Sequence, residues 1–192
     1  MLETLIKYEL EINSMSTKQI WIMRDYPKCT GCRRCEIACS LYHEKKIWPE
    51  ASMVRVFMLA PGLEYPHLCT QCHDYPCVES CPTEPKALSV DEKTGAVLVD
   101  RKLCISCMKC IKACPGHIPF LHPSDNKSTI CDLCNGDPQC VKVCQEAKYD
   151  VLRTIQYEKG KGDALIFKVY AKTPKEITEG LSSLIYGENF EV

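Results

Sequence analysis

Sixteen cysteines dominate this sequence of 192 residues, and they fall into four groups of four, here called quartets 1 to 4 in chain order. Quartets 1 and 3 share the spacing C-x2-C-x2-C-x3-C, whereas quartets 2 and 4 have a longer middle gap. The sequence is therefore an internal repeat built around thiols. Its members are Cys29, Cys32, Cys35 and Cys39; Cys69, Cys72, Cys77 and Cys81; Cys104, Cys107, Cys110 and Cys114; and Cys131, Cys134, Cys140 and Cys144.

The spacing within each quartet favours an iron–sulfur cluster. Three cysteines close together can hold one 4Fe-4S cluster in a tight loop whose backbone amides point at the sulfurs. The fourth cysteine begins a helical turn, faces away and serves a neighbouring cluster. Pro82 and Pro115 follow the fourth cysteines of quartets 2 and 3, as in bacterial ferredoxins, and Gly31 stands where such a loop needs an unusual backbone angle.

Two other uses of clustered thiols are weaker. Disulfides need an oxidising compartment, and the N-terminus has no export signal, so we expect a cytoplasmic chain with reduced thiols. Zinc sites normally use two separated C-x2-C pairs, which match these quartets less well than iron–sulfur clusters do. A zinc-stabilised interaction module is kept as the weaker alternative. Quartet 4 has the longest middle gap and Gln145 after its last cysteine, which leaves zinc or another metal open at the site of Cys131, Cys134 and Cys140.

Several function classes are excluded. Lys and Arg number 24 against 25 Asp and Glu, without a basic patch, so we expect no nucleic-acid partner. No run of 18 apolar residues is present, so we expect no membrane span. Dinucleotide, P-loop and serine-triad motifs are absent, and the five histidines lie scattered between the quartets in predicted loops. We therefore expect a chain that is not catalytic on its own.

Outside the quartets the pattern predicts few elements. Segments 87–90 and 96–99 flank a turn and form a hairpin, and strands are predicted over 54–59 and 165–171. Thr173-Pro-Lys-Glu176 is a capping box that opens an amphipathic helix ending at Gly187, with Ile177, Leu181, Leu184 and Ile185 on its apolar face. This helix either packs on the cluster domain or docks on a partner.

Four segments carry a resemblance to a known family. They read Cys29-Thr-Gly-Cys-Arg-Arg-Cys-Glu-Ile-Ala-Cys, Cys69-Thr-Gln-Cys-His-Asp-Tyr-Pro-Cys-Val-Glu-Ser-Cys-Pro, Cys104-Ile-Ser-Cys-Met-Lys-Cys-Ile-Lys-Ala-Cys-Pro and Cys131-Asp-Leu-Cys-Asn-Gly-Asp-Pro-Gln-Cys-Val-Lys-Val-Cys. The chain resembles the four-cluster ferredoxin subunits of molybdenum and tungsten oxidoreductases. It looks most like the iron–sulfur partners of aldehyde-oxidoreductase-type tungsten enzymes, including class II benzoyl-CoA reductase. Ser40 and Gln145 depart from the family's proline after the fourth cysteine.

The resemblance implies four 4Fe-4S clusters, in which each cluster takes its last ligand from a partner quartet. The outer quartets 1 and 4 form one pair and the inner quartets 2 and 3 form another. Site 1 would use Cys29, Cys32, Cys35 and Cys144; site 2 would use Cys39, Cys131, Cys134 and Cys140; site 3 would use Cys69, Cys72, Cys77 and Cys114; and site 4 would use Cys81, Cys104, Cys107 and Cys110.

The resemblance also implies an α+β fold of two interleaved ferredoxin-like modules with small β-hairpins, short helices and a C-terminal strand–helix extension. We expect an N-terminal extension over 1–24, a four-cluster domain over 25–148, and an extension over 149–192 that is a candidate docking arm. Within the domain, 69–114 forms the inner pair, and 29–39 with 131–144 forms the outer pair.

The function implied is a relay of single electrons to or from a large tungsten or molybdenum pterin subunit, with ferredoxin or another redox module as the further carrier. The alternative partners are carbon monoxide dehydrogenase, formate dehydrogenase and hydrogenase.

Overall fold

The computed structural model of the chain describes residues 19–157 and 170–187. The predicted strand over 165–171 lies mostly outside these residues, and its two described positions are not in a strand. The first 18 residues of the predicted N-terminal extension also lie outside them.

Eight short strands form four separate two-stranded antiparallel sheets in the described ranges. Trp21 and Ile22 are consecutive in the first strand, so their side chains lie on opposite faces, and both are buried. The pairs are β1 (Gln19–Arg24) with β8 (Leu152–Tyr157), β2 (Arg55–Met58) with β3 (Glu64–His67), β4 (Leu88–Val90) with β5 (Val97–Val99), and β6 (Phe120–Leu121) with β7 (Ser128–Thr129).

Five α-helices and three short 3-10 helices complete the described elements. Each of the first four α-helices contains the third cysteine of one quartet: they are α1 (Arg34–Glu44), α2 (Pro76–Glu79), α3 (Lys109–Ala113) and α4 (Gln139–Glu146). The fifth, α5 (Pro174–Tyr186), lies after the last quartet. The 3-10 helices are Tyr26–Lys28, Pro49–Ala51 and Leu133–Gly136.

The helices pack in the pairs that the two predicted modules require. Helix α1 packs on α4, which joins the outer quartets, and α2 packs on α3, which joins the inner ones. Each pair has its own buried core, and cysteines are part of both. The outer core includes Cys39, Cys131 and Cys140, and the inner core includes Cys77, Cys104 and Cys110. The thiols therefore lie in the interior among aliphatic side chains.

The predicted fold class is confirmed as a small α+β ferredoxin-like fold with hairpins and short helices. The hairpin over 87–99 is present as β4 and β5, and the strand over 54–59 is present as β2. The strands β1 and β8 lie at the inner ends of the two predicted extensions and pair with each other. The domain bounds stay a prediction.

The capping box and the C-terminal helix are confirmed, and the helix buries only part of its apolar face. Ile177, Thr178 and Ser182 are buried, whereas Leu184 is 73% and Ile185 is 51% exposed. The reason is a polar contact: the Tyr65 hydroxyl lies 2.9 Å from the Thr178 hydroxyl. This contact turns the Thr178 face toward the β2–β3 hairpin.

The prediction that the histidines lie in loops is only partly correct. His43 lies in α1 and His67 in β3, and His122 is buried in a contact with the Glu44 carboxylate and Ser124. No helix within 19–157 or 170–187 is long and apolar enough to cross a membrane.

Candidate metal centres

The loop that begins each quartet repeats the same backbone conformation. The second residue after the first cysteine has a positive φ in all four quartets, with values of 65°, 52°, 58° and 56° for Gly31, Gln71, Ser106 and Leu133. A positive φ turns successive amide groups toward one point and forms a concave anion-binding nest. The repeat in sequence is therefore also a repeat in backbone geometry.

The amides of these loops point at sulfur. The Gln71 N–H donates to the Cys69 Sγ at 3.4 Å. The corresponding amides of Gly31 and Leu133 act on Cys29 and Cys131, where their hydrogen bonds counter part of the rise in pKa that burial causes. Such amides favour a thiolate over a thiol, as a metal ligand requires.

Three cavities are each lined by four cysteines that come from two quartets. One is lined by Cys29, Cys32, Cys35 and Cys144. Another is lined by Cys69, Cys72, Cys77 and Cys114. A third is lined by Cys81, Cys104, Cys107 and Cys110. These sets equal the predicted sites 1, 3 and 4.

The cysteines of the predicted site 2 lie within electrostatic range of one another. Burial raises the pKa of Cys140, and the neighbouring Cys131, Cys39 and Cys134 raise it further. Burial likewise raises the pKa of Cys134 to about 11, with Cys39 among the lesser causes. Cys39 reaches this group from α1, and the Met53 N–H donates to its sulfur at 3.3 Å.

The four groups also neighbour one another in a definite order. Besides burial, Cys35 raises the pKa of Cys140, which connects sites 1 and 2. Besides burial, Cys131 raises the pKa of Cys69 and connects sites 2 and 3. Burial raises the pKa of Cys77 to about 11, and Cys110 adds to this and connects sites 3 and 4. On the predicted ligand groups, these neighbours correspond to the order 1, 2, 3, 4.

The thiols fit iron–sulfur clusters better than disulfides. All sixteen cysteines are free, and twelve of them surround three shared cavities in fours. Burial among apolar groups raises the pKa of Cys35 and Cys72 to about 12, so the metal-free thiols are protonated at neutral pH. Binding of iron must release these protons. The assignment of individual ligands to sites stays a prediction.

Side chains outside the quartets also contact the sulfurs, and sequence reasoning missed them. The Ser128 hydroxyl lies 3.2 Å from the Cys110 Sγ, and the Thr83 hydroxyl lies 3.4 Å from the Cys81 Sγ. His43 Nε2 lies 3.7 Å from the Cys134 Sγ. Thr83 follows Cys81 by two residues, so its contact could have been predicted from the sequence. Ser128 and His43 reach their cysteines only through tertiary packing.

Arg24 fixes the loop of quartet 2 from outside. Its guanidinium is buried, with the side chain only 2% exposed, and it donates to the Cys69 carbonyl oxygen at 2.9 Å. The Trp21 indole N–H donates to the Thr70 carbonyl oxygen at 3.0 Å. Strand β1 thus holds the backbone that carries the first cysteine of quartet 2.

Comparison with known proteins identifies the family. A model described as a 4Fe-4S dicluster domain matches residues 62–153, and one described as a 4Fe-4S binding domain matches residues 26–42. The polyferredoxin-like subunit of aliphatic sulfonate oxidoreductase from Pyrococcus furiosus is 48% identical over 175 residues, which is 90% of this chain and 96% of that protein. The chain belongs to the polyferredoxin-like 4Fe-4S electron-transfer subunits.

More distant relatives are also subunits of oxidoreductases. The thiosulfate reductase electron transfer subunit PhsB of Salmonella typhi is 32% identical, covering 67% of this polyferredoxin subunit and 72% of its own length. The B subunit of polysulfide reductase from Wolinella succinogenes is 31% identical, with coverages of 66% and 72%. The prediction of an electron-transfer subunit in an oxidoreductase complex is therefore confirmed, and the sixteen cysteines suffice for four clusters.

A solved structure is also similar. One chain of the BamBC active-site complex of benzoyl coenzyme A reductase, with zinc, aligns with a TM-score of 0.43 and 25% identity over 87% of this polyferredoxin subunit and 90% of that chain.

Proposed function

We propose that this polyferredoxin subunit relays single electrons along sites 1 to 4 between a tungsten or molybdenum pterin subunit and a further electron carrier. A 4Fe-4S cluster held by four thiolates accepts and releases one electron at a time. The protein's own part is to hold the four groups of thiols in a row, to keep water away from the middle of the row and to orient amides toward sulfur.

The observation that carries this proposal is the order of the sites combined with their exposure. Cys131, Cys134 and Cys140 of site 2 are buried, at 8%, 7% and 6% exposure. Cys32 of site 1 and Cys107 of site 4 are exposed. A row with a buried interior and terminal thiols at the surface suits exchange of electrons with two different proteins.

We also propose the ligand groups given above for sites 1 to 4. Three cavity linings support the groups of sites 1, 3 and 4, and the mutual effects of the four thiols support the group of site 2. In this arrangement the fourth cysteine of each quartet ties its helix to the partner quartet. Loading with iron would then fix the two quartets of a pair together.

For the catalytic partner we favour a tungsten enzyme of the aldehyde-oxidoreductase type. The support is the 48% identity to a subunit of an aliphatic sulfonate oxidoreductase over nearly the whole chain. By this likeness the partner acts on an aliphatic sulfonate. We propose that the complex is cytoplasmic, because thiols stay reduced in that compartment.

The complex itself provides the test. The subunit is tagged and purified anaerobically from its native cell, the large protein that accompanies it is identified, and tungsten, molybdenum and nickel are measured. We expect a pterin subunit with tungsten. Nickel without a pterin, or no large partner at all, would contradict the partner assignment.

Electron transfer is tested on the same complex with a Cys131→Ser variant, which changes the buried middle of the row. We expect the variant complex to reduce a small dye directly at the catalytic subunit at the normal rate but to transfer electrons to ferredoxin much more slowly. Equal rates with ferredoxin in both complexes would show that the row is not the path.

A further inference from the structure

His43 is placed where it can act on site 2 although it belongs to another part of the chain. It lies in the last turn of α1, after quartet 1, and its side chain is 15% exposed. Its Nε2 lies 3.7 Å from the Cys134 Sγ and 3.4 Å from the Asp132 Oδ1. The packing of α1 on α4 brings together residues that are 91 positions apart.

The neighbours of this nitrogen decide the direction of the hydrogen bond. A ligand cysteine is a thiolate, and a carboxylate accepts only, so both groups facing Nε2 are acceptors. The Asp132 Oδ1 already accepts the Cys134 N–H at 2.9 Å, which holds the loop of quartet 4 in place. The network therefore assigns a hydrogen to Nε2, shared between sulfur and carboxylate.

A hydrogen bond to a cluster sulfur changes the cluster's reduction potential. Reduction adds a negative charge that is partly carried by the sulfurs, so an N–H donor stabilises the reduced form more than the oxidised form. On the proposed ligand groups, Cys134 is a ligand of site 2, and it is the cysteine sulfur that His43 Nε2 faces. The effect should therefore be confined to one site of the four.

We propose that His43 donates a hydrogen bond from Nε2 to the Cys134 sulfur and thereby raises the reduction potential of the site 2 cluster. His43 is a positioning residue, because it acts through a ligand and not on a substrate. The inference rests on the proposed function, since it takes Cys134 as a ligand of site 2. The reduction potential of site 2 would then depend on the helix that follows quartet 1 as well as on quartet 4.

The same three side chains allow a competing explanation. Ligand atoms of His43, Asp132 and Cys134 all lie within 4.8 Å of one another, as a separate metal ion would need. A zinc ion there would take one thiolate from site 2 and leave that site without the four thiolates that a 4Fe-4S cluster needs. The two explanations differ in metal content, which makes them separable.

The test is a potentiometric titration of the iron-loaded chain with dithionite, followed by electron paramagnetic resonance. We compare the unchanged chain with His43→Phe, which removes the donor, and His43→Gln, which keeps an N–H. Leu41→Phe is the matched control, because Leu41 is exposed on the same helix. The site 2 signal is the one that Cys134→Ser alters.

We expect one midpoint potential to move to a more negative value in His43→Phe and the other three to stay. His43→Gln should lie between His43→Phe and the unchanged chain, and Leu41→Phe should leave all four midpoints unchanged. No shift at site 2 in His43→Phe, or the same shift in His43→Gln, would overturn the proposal.

A second measurement applies if His43→Phe fails to load with iron. The chain is labelled with ¹⁵N-histidine, and the nitrogen coupling to the reduced site 2 signal is measured in the unchanged chain and in His43→Gln. We expect a coupling that His43→Gln abolishes. A coupling that survives the substitution, or none in the unchanged chain, would overturn the proposal.

Metal analysis separates the role of His43 from the function of the chain. Iron near sixteen per chain with unmoved midpoints would remove the role of His43 and leave the proposed function intact. About twelve iron with one zinc that His43→Phe releases would replace the hydrogen bond by a metal site. Iron far below twelve in the unchanged chain would contradict the four-cluster function itself.

Discussion

At the residue scale, the positions that shape the cluster loops are not the ones a sequence marks most clearly. Gly31 predicts its own positive φ because glycine tolerates it. Gln71, Ser106 and Leu133 also have a positive φ without being glycine, so their residue types do not predict this conformation. The thiols could be predicted from spacing alone, whereas the His43 contact needs the packing of two distant helices.

Gly31 provides the sharpest prediction at this scale. A Cβ added there would lie 2.6 Å from the Glu64 Cγ, at a φ of 65° that other residues adopt at a cost. We expect Gly31→Ala to destabilise the iron-loaded chain by roughly 1–2 kcal/mol and to lower its iron content. The apparent melting temperature and the iron per chain are the measurements.

Gly180 is the matched control for that substitution. It lies in α5 with nothing within 4 Å of an added Cβ. Gly180→Ala should therefore leave iron content unchanged and raise stability by roughly 0.5–1 kcal/mol, because alanine favours a helix. If Gly31→Ala behaved like Gly180→Ala, the close approach of the first loop to β3 would not matter.

At the element scale, local signals are sufficient where the contact is local. The hairpin β4–β5, strand β2 and the capping box of α5 can all be predicted from neighbouring residues. Which residues of α5 are buried could not be predicted, because the Thr178 hydroxyl contacts Tyr65 and no helical periodicity contains that information. The β1–β8 pairing joins the two sides of the cluster domain and has no local signal.

The capping box of α5 predicts a local loss of stability. The Thr173 hydroxyl accepts the Glu176 N–H at 3.3 Å, and the Glu176 carboxylate accepts the Thr173 N–H at 2.7 Å. We expect Thr173→Ala to cost about 1 kcal/mol and to increase amide exchange in the first turn of α5. Ser183→Ala, an exposed position of the same helix, should leave that exchange unchanged. Equal exchange in both variants would mean that packing alone holds the helix.

In the proposed groups, quartets 2 and 3 each supply their fourth cysteine to the other quartet's site. The Cys81→Ser substitution tests this exchange. Cys81 follows α2 but lines the cavity of Cys104, Cys107 and Cys110. We expect the spectrum of site 4 to change while that of site 3 is retained, and Cys114→Ser should have the opposite effect. Loss of the site 3 signal alone in Cys81→Ser would show that each quartet binds its own cluster.

At the scale of the whole molecule, the cysteines belong to both cores, so the metal and the fold are coupled. Aliphatic side chains such as Leu133 and Val141 share the outer core with the buried thiols of Cys131 and Cys140. Because such thiols need a metal to hold them together, metal binding supplies part of the folding free energy. The sequence predicts this from its cysteine content, but not which aliphatic residues complete each core.

Removal of iron should therefore unfold the chain. Trp21 is 2% exposed and donates to the Thr70 backbone, so its emission reports on the packing around quartet 2. In a Trp48→Phe background, we expect the emission maximum to move to longer wavelength when oxidation and chelation remove iron. An unchanged maximum in the iron-free chain would mean that the cores are stable without metal.

The most direct test of the four-cluster relay is the iron and acid-labile sulfide content of the anaerobically purified chain. Four sites of four thiolates predict about sixteen iron and about sixteen sulfide per chain, without zinc. A content near twelve of each with one zinc would restrict the relay to three clusters. Iron and sulfide far below that, with zinc in their place, would contradict electron transfer as the function.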